Sequence, residues 1–305
     1  MPSPDAYTLV SAHQQVQSIR RISTAPDSSA ELAQALAQYC AILIEAGHYE
    51  PALAASTEAI TIFRRLSDSS EYTSDLGDVL FLQAVLLGRW GQVADAIVAS
   101  EEAVTLFYEL SATDPNEEAR LAASLRGHVD LLIRADRAEA ALVASTEAVR
   151  IVQDLARTDA DHVEAVTETA MTHAHLLRTL GRTAEALPVT EAALGIIRRI
   201  AAEDDRQLPL LARLLINLGQ LRFLLGDHGP ALDVNEEAIQ VLIELARTEG
   251  GGFLQLLATS WSVRANILTA MGSAEEAAQA QETAIQIRLW ATGNTTSALE
   301  SLPEP

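Results

Sequence analysis

Between residues 121 and 135 the stretch LAASLRGHVDLLIRA sets Leu121, Leu125, Val129 and Leu132 at helical spacing. After a break at Asp136 and Arg137, AEAALVASTEAVRIVQDLA puts Ala141, Leu142, Val149, Val152 and Leu155 on one face. Apolar residues at intervals of three and four mark amphipathic helices, so the segment predicts two helices joined by a short turn. Close variants of the second phrase recur as ASTEAITIFRRLSDS at 55–69, ASEEAVTLFYELSAT at 99–113, VTEAALGIIRRIAAE at 189–203, VNEEAIQVLIELART at 234–248 and AQETAIQIRLWATGN at 280–294. Their shared alanines, Ala59, Ala103, Ala148, Ala193, Ala238 and Ala284, stand 44, 45, 45, 45 and 46 residues apart by subtraction. A fixed period of this size predicts a repeat architecture, one helical hairpin per period.

The turn within each hairpin holds Gly47, Gly91, Gly181, Gly226 or Gly272, with Asp136 in the third repeat. A helix C-terminus favours a residue of positive φ there. The links between hairpins, SDSSEYTSD, SATDPNEE, RTDADH, AEDDRQ and RTEGGG, are polar and carry helix-start signals, and strand signals are absent.

These residues resemble the tetratricopeptide repeat family, whose pattern is a turn glycine, a small residue early in the second helix and an alanine seven positions later. The matching pairs are Ala52 and Ala59, Ala96 and Ala103, Ala141 and Ala148, Ala186 and Ala193, Ala231 and Ala238, and Ala277 and Ala284. The long period resembles the kinesin-light-chain style of repeat and the long arrays of actinobacteria and fungi. The likeness covers about residues 6–291. It departs at the small position of the first helix, where Cys40, Ala84, Val129, Ala174, Gly219 and Ala265 vary, and a slightly wider approach is expected at Val129. The resemblance implies an all-α, right-handed α-solenoid of six tetratricopeptide-like hairpins with an N-terminal capping helix, thirteen helices in all.

The expected organisation is a flexible N-terminus at 1–5, a capping helix at 6–22, six repeats of about 45 residues at 23–292 and a flexible tail at 293–305. Thr8 and Gln15 replace the paired alanines in the first helix, while Arg288 and Ala278 replace apolar positions in the last repeat. Polar terminal faces suit the ends of a solenoid, so a whole array is expected.

Composition narrows the function. The chain has 305 residues, 49% of them hydrophobic, so it can bury a sizeable core; length alone would suggest two domains, but the repeat overrides that count. All 21 basic residues are arginine, against 42 acidic ones, for a net charge of -21. Such a surface repels phosphate backbones, so no nucleic-acid partner is expected. A single cysteine, Cys40, fits a reducing compartment, and neither a signal peptide nor a membrane span is expected, which points to a cytoplasmic protein. A monomer is expected, with a dimer as the alternative.

The resemblance assigns the inner face of the first helices to a concave groove. Its residues are Phe81, Val85 and Arg89; Arg126, Asp130, Ile133 and Arg134; Met171, His175 and Arg178; Arg213, Ile216, Gln220 and Phe223; and Ser262 and Asn266. Five arginines on one face of an acidic chain reverse the local sign. On one reading they grip a peptide or protein segment with acidic or C-terminal carboxylate groups, while Phe81, Met171 and Phe223 pack its apolar side chains. On the other they pair with acids of neighbouring helices such as Asp130 and Glu168 and only solvate the surface. The expected function is a protein-interaction scaffold or adaptor, with a regulatory sensor of a small peptide or metabolite as the alternative and an enzyme as the third reading.

Catalytic signals are weak. His173 and His175 are two apart on a helix and point to different sides, and His128 and His173 share a repeat position without a complete ligand set. Cys40 at a packing position reads as a buried, inert thiol. The repeated glutamates Glu58, Glu102, Glu147 and Glu237 read as the solvated face of the second helices. No catalytic residue, metal site or cofactor is expected.

Overall fold

The computed structural model describes residues 4–22, 27–66 and 72–292. Among them the chain forms thirteen α-helices, α1 (Pro4–Ile22), α2 (Asp27–Glu45), α3 (Tyr49–Arg65), α4 (Thr73–Arg89), α5 (Val93–Ser111), α6 (Glu118–Arg134), α7 (Ala138–Thr158), α8 (Val163–Thr179), α9 (Thr183–Ala201), α10 (Leu208–Leu224), α11 (His228–Glu249), α12 (Leu254–Ala270) and α13 (Ala274–Thr292), and no strand. After α1 the helices alternate as first and second members of hairpins. The first helix begins at Pro4, two residues before the expected start. Residues 1–3, and the tail expected at 293–305, lie outside the described residues.

The hairpin turns repeat one geometry. Gly47, Gly91, Gly181, Gly226 and Gly272 have φ between 72 and 84°, and Asp136 takes the same conformation at φ 56°. In each, the amide three residues past the helix end donates back to a carbonyl five residues earlier, from His48 to Leu43 at 2.8 Å through Arg182 to Leu177 at 2.7 Å. This is the Schellman arrangement, which satisfies carbonyls the helix leaves open and requires a left-handed residue before the donor.

The links carry a second repeated device. Short 3-10 turns at 115–117, 160–162 and 205–207 lead into α6, α8 and α10, and each is capped by the preceding aspartate. Asp114 accepts from the amide of Asn116 at 2.9 Å, Asp159 from Asp161 at 2.9 Å and Asp204 from Arg206 at 3.2 Å. Before α12 the place is taken by Gly250 at φ 89°.

Packing follows from the small residues. Ala59, Ala103, Ala148, Ala193, Ala238 and Ala284 are fully buried, as are Ala52, Ala96, Ala141, Ala186 and Ala231. A methyl group at a crossing lets two helix backbones approach closely, and the Phe, Leu and Ile side chains around it fill the remaining volume. Where even alanine is too large, glycine appears: a Cβ on Gly77 of α4 would lie 2.8 Å from the ring of Phe107 on α5.

The helices group into two compact units, Met1–Ile151 and Val152–Pro305, divided within α7. In each, a second helix packs between its own first helix and the next, and successive first helices also touch: α2, α4 and α6 in one unit, α8, α10 and α12 in the other.

Candidate functional site

Because successive first helices neighbour one another, side chains spaced by one repeat meet on their shared face. In the first unit Arg89 and Arg134 end α4 and α6. Arg89 donates to the Tyr49 hydroxyl at 2.7 Å and lies over that ring, 5.3 Å from its centre. Arg134 donates to the carbonyl of Gly88, the residue beside Arg89. Two guanidinium groups are thus brought together, each held by a neutral acceptor. Val85 is half-buried one turn from Arg89, and half-buried Phe81 lies across onto α6, where a Cβ on Gly127 would sit 2.8 Å from its ring. Phe81 therefore fills the seam between two first helices. Half-buried Arg126 and exposed Asp130 stand one turn apart on α6 and are both engaged in interactions of their own.

The other end of this face is acidic, which sequence reasoning missed. A hollow of about 520 Å³ is lined by Gln34 and Gln38 of α2 and Asp75, Asp78 and Phe81 of α4. Gln34 donates to Asp75 at 2.9 Å, and Arg120 reaches Asp78 at 3.4 Å and Glu117 at 2.9 Å. Burial pushes the Asp78 carboxyl up, Arg120 opposes that shift, and Asp75 and Glu117 add to it. First-turn acids and last-turn arginines complement the helix dipole, and α4, α6 and α8 each carry an acid in the first turn and an arginine in the last. That tendency was the available signal: Asp75 opens α4 and Arg89 closes it.

In the second unit Arg178 donates to Nδ1 of His175 at 3.0 Å, and both are exposed, with Met171 half-buried one turn earlier on α8. On α10, Arg213 is half-buried and has no hydrogen bond or ion pair among the described residues, Ile216 is half-buried and Gln220 is exposed. Phe223 is half-buried with its ring 5.6 Å from His228. Asn266 is exposed on α12, whereas Ser262 accepts from Arg288 of α13 at 2.9 Å, a contact between the two helices of the last hairpin.

The remaining chemistry-bearing residues are structural. His128 is 9% exposed, with Nδ1 2.7 Å from the Ser100 hydroxyl. That hydroxyl is also 2.9 Å from the Ile97 carbonyl of its own helix, so the pair ties α5 to α6 inside the core. Burial pulls both His128 and the equally placed His173 down in pKa. Cys40 is fully buried, and burial pushes its thiol up to about 12.

The repeated glutamates do more than solvate a face, which corrects the sequence expectation. Arg20 of α1 pairs with Glu58 of α3, Arg64 with Glu102 and Arg198 with Glu237 bridge one second helix to the next, and Glu147 pairs within α7 with Arg150 at 2.7 Å. Among the described residues no group of three or more His, Cys, Asp or Glu side chains could hold a metal ion, and no helix is long and apolar enough to cross a membrane.

Comparison with known proteins places this architecture. The tetratricopeptide repeat family model matches residues 166–244, from α8 into α11. A structure of Podospora anserina putative kinesin light chain TPR-like repeats is 18% identical at a TM-score of 0.55, covering 74% of this chain and 100% of that one. Apo RapI is 12% identical at 0.56, covering 92% and 80%, and aspartyl phosphate phosphatase F of Bacillus subtilis is 14% identical at 0.51, covering 93% and 68%. A search of curated proteins gives no match. The structural likenesses establish the fold. The family's repeat is matched directly at residues 166–244, in the second unit, and its turn, alanine seam and hairpin recur in both units, so the chain has the tetratricopeptide-repeat fold.

Proposed function

We propose that the chain is a protein-interaction adaptor whose first-helix faces receive a peptide or protein segment, with preference for acidic side chains or a C-terminal carboxylate. The observation that carries this reading is the state of the arginines. Arg89, Arg134 and Arg178 are held in place by a phenol, a carbonyl and an imidazole, and none of the three is in a salt bridge among the described residues. A neutral acceptor orients a guanidinium without cancelling its charge, which leaves it able to grip an incoming carboxylate. The acidic hollow at the start of α2 and α4 favours a segment that is acidic at one end only. No catalytic role is proposed, and a sensor would use the same face.

The test uses an acidic peptide with a free C-terminus and its amidated, alanine-substituted twin, titrated against the full chain. The acidic form should bind, weaken as salt rises, and lose about tenfold or more for each arginine removed. Equal binding of the two peptides, or binding indifferent to Arg89→Ala, Arg134→Ala and Arg178→Ala, would refute the assignment.

A further inference from the structure

One furrow of the first unit lies off the first-helix face. It has a volume of about 850 Å³ and runs along α3, bounded by Leu32 of α2 near one end and Trp90, just past α4, at the other. Half-buried Leu32, Leu53 and Ile62 give it an apolar floor. Trp90 is 42% exposed, and the residues at its place before the other turns are Ala46, Ala135, Leu180, Leu225 and Met271, so this end alone carries an aromatic ring.

The ends differ in charge. Glu50 stands in the first turn of α3 and Arg65 at its last residue; both are exposed, and neither side chain has a hydrogen bond or ion pair among the described residues. Glu58, midway, is already taken by Arg20. The stacking of Arg89 on Tyr49 brings Trp90 to the Glu50 end. Fifteen residues of helix separate Glu50 from Arg65, about 22 Å at helical rise.

We propose that this furrow is a second docking surface, taking an amphipathic partner helix laid antiparallel to α3. Helices favour acids in their first turn and bases in their last. α3 obeys that preference, so a partner that also obeys it meets opposite charge at both ends only when it runs antiparallel. Its C-terminal cation then lies between the Glu50 carboxylate and the Trp90 ring, where ion pairing and cation–π attraction act together. Its first-turn acid meets Arg65, and its apolar stripe covers Leu53 and Ile62.

The probe is a fluorescein-labelled designed helix of about 16 residues, acidic in its first turn, leucine-striped and basic in its last, beside a twin of equal composition with the charged ends exchanged. Anisotropy titrations against the full chain should show the first peptide binding at least about tenfold tighter than the twin. Trp90→Ala should weaken it about tenfold at unchanged melting temperature, and the paired exchange Glu50→Arg with Arg65→Glu should reverse the preference. Arg178→Ala should change nothing, which separates this surface from the proposed carboxylate-binding face. Equal binding or no binding of the two peptides, indifference to Trp90→Ala, or a loss with Arg178→Ala would each overturn the proposal.

Discussion

Two sets of equivalent positions, each recurring once per repeat, behave in opposite ways. On the second helices, Ala59, Ala103, Ala148, Ala193, Ala238 and Ala284 are one residue type and fully buried. On the first helices, Val85, Asp130, His175, Gln220 and Asn266 occupy one repeat position with five residue types, four of them exposed and Val85 half-buried. The first set sits where two backbones cross, and sterics admit only a methyl group. The second set faces outward, and packing does not dictate its residue type. A solenoid thus separates the residues that make it stack from those that can give it a partner, and the separation can be attacked at either set.

The largest effect should come from one bulky side chain placed in each. Ala148→Phe drives a ring into a filled crossing and should destabilise by about 3 kcal/mol or prevent folding. His175→Phe makes a change of similar kind on the open face and should cost about 0.5 kcal/mol or less. Urea unfolding compares them directly, and equal losses would show that the two sets are not separated as described.

Glycines sharpen the comparison because the sign of the effect should change. Gly77→Ala places a methyl 2.8 Å from the buried Phe107 ring, and the strain should outweigh the helix-propensity gain, for a net loss of about 1 to 2 kcal/mol. Gly195 is exposed on α9 with no atom within 4 Å of its would-be Cβ, so Gly195→Ala should stabilise by about 0.5 to 1 kcal/mol. Opposite shifts in melting temperature are the expected result; two stabilisations would mean that α4 and α5 can separate freely.

Acid should act on the buried side more than on the open one. His128 and His173 are held below their usual pKa by burial, so the folded chain binds fewer protons than the unfolded chain between the ordinary imidazole value, about 6.5, and the lowered ones. Stability is therefore full above that range and falls as pH drops through it. Glu101 favours the charged His128 and Arg137 opposes it, but burial dominates. Thermal melts from pH 7.5 downward should show the loss, and His128→Gln should reduce its slope.

What the sequence revealed divides along the same line. The alanine phase, the turn glycines and the substitution of Asp136 for glycine were legible because backbone geometry demands those residues wherever they fall. The aspartate-led links were legible for the same reason. The partners of long polar side chains were not. Arg64 and Glu102 are 38 residues apart, and Ser100 and His128 are 28 apart, and which side chain meets which depends on how far neighbouring helices splay. The acidic end of the face escaped because Gln34, Asp75 and Asp78 come from two hairpins, and none of them repeats along the chain.

The smallest effect on stability should accompany the sharpest loss of binding. Arg178 is exposed and, among the described residues, donates only to the exposed His175 on its own helix, a contact of the kind that contributes a few tenths of a kcal/mol at most. Arg178→Ala should therefore leave the melting temperature within about a degree of the parent. A charge-assisted contact to a ligand carboxylate is worth about 1.5 to 3 kcal/mol, so the same change should weaken an acidic peptide by roughly ten- to a hundredfold. Arg178→Lys keeps the charge but not the two-pronged geometry, and an intermediate loss is expected. If the lysine variant binds as well as the parent, the face reads only net charge; if the alanine variant does, Arg178 serves His175 alone.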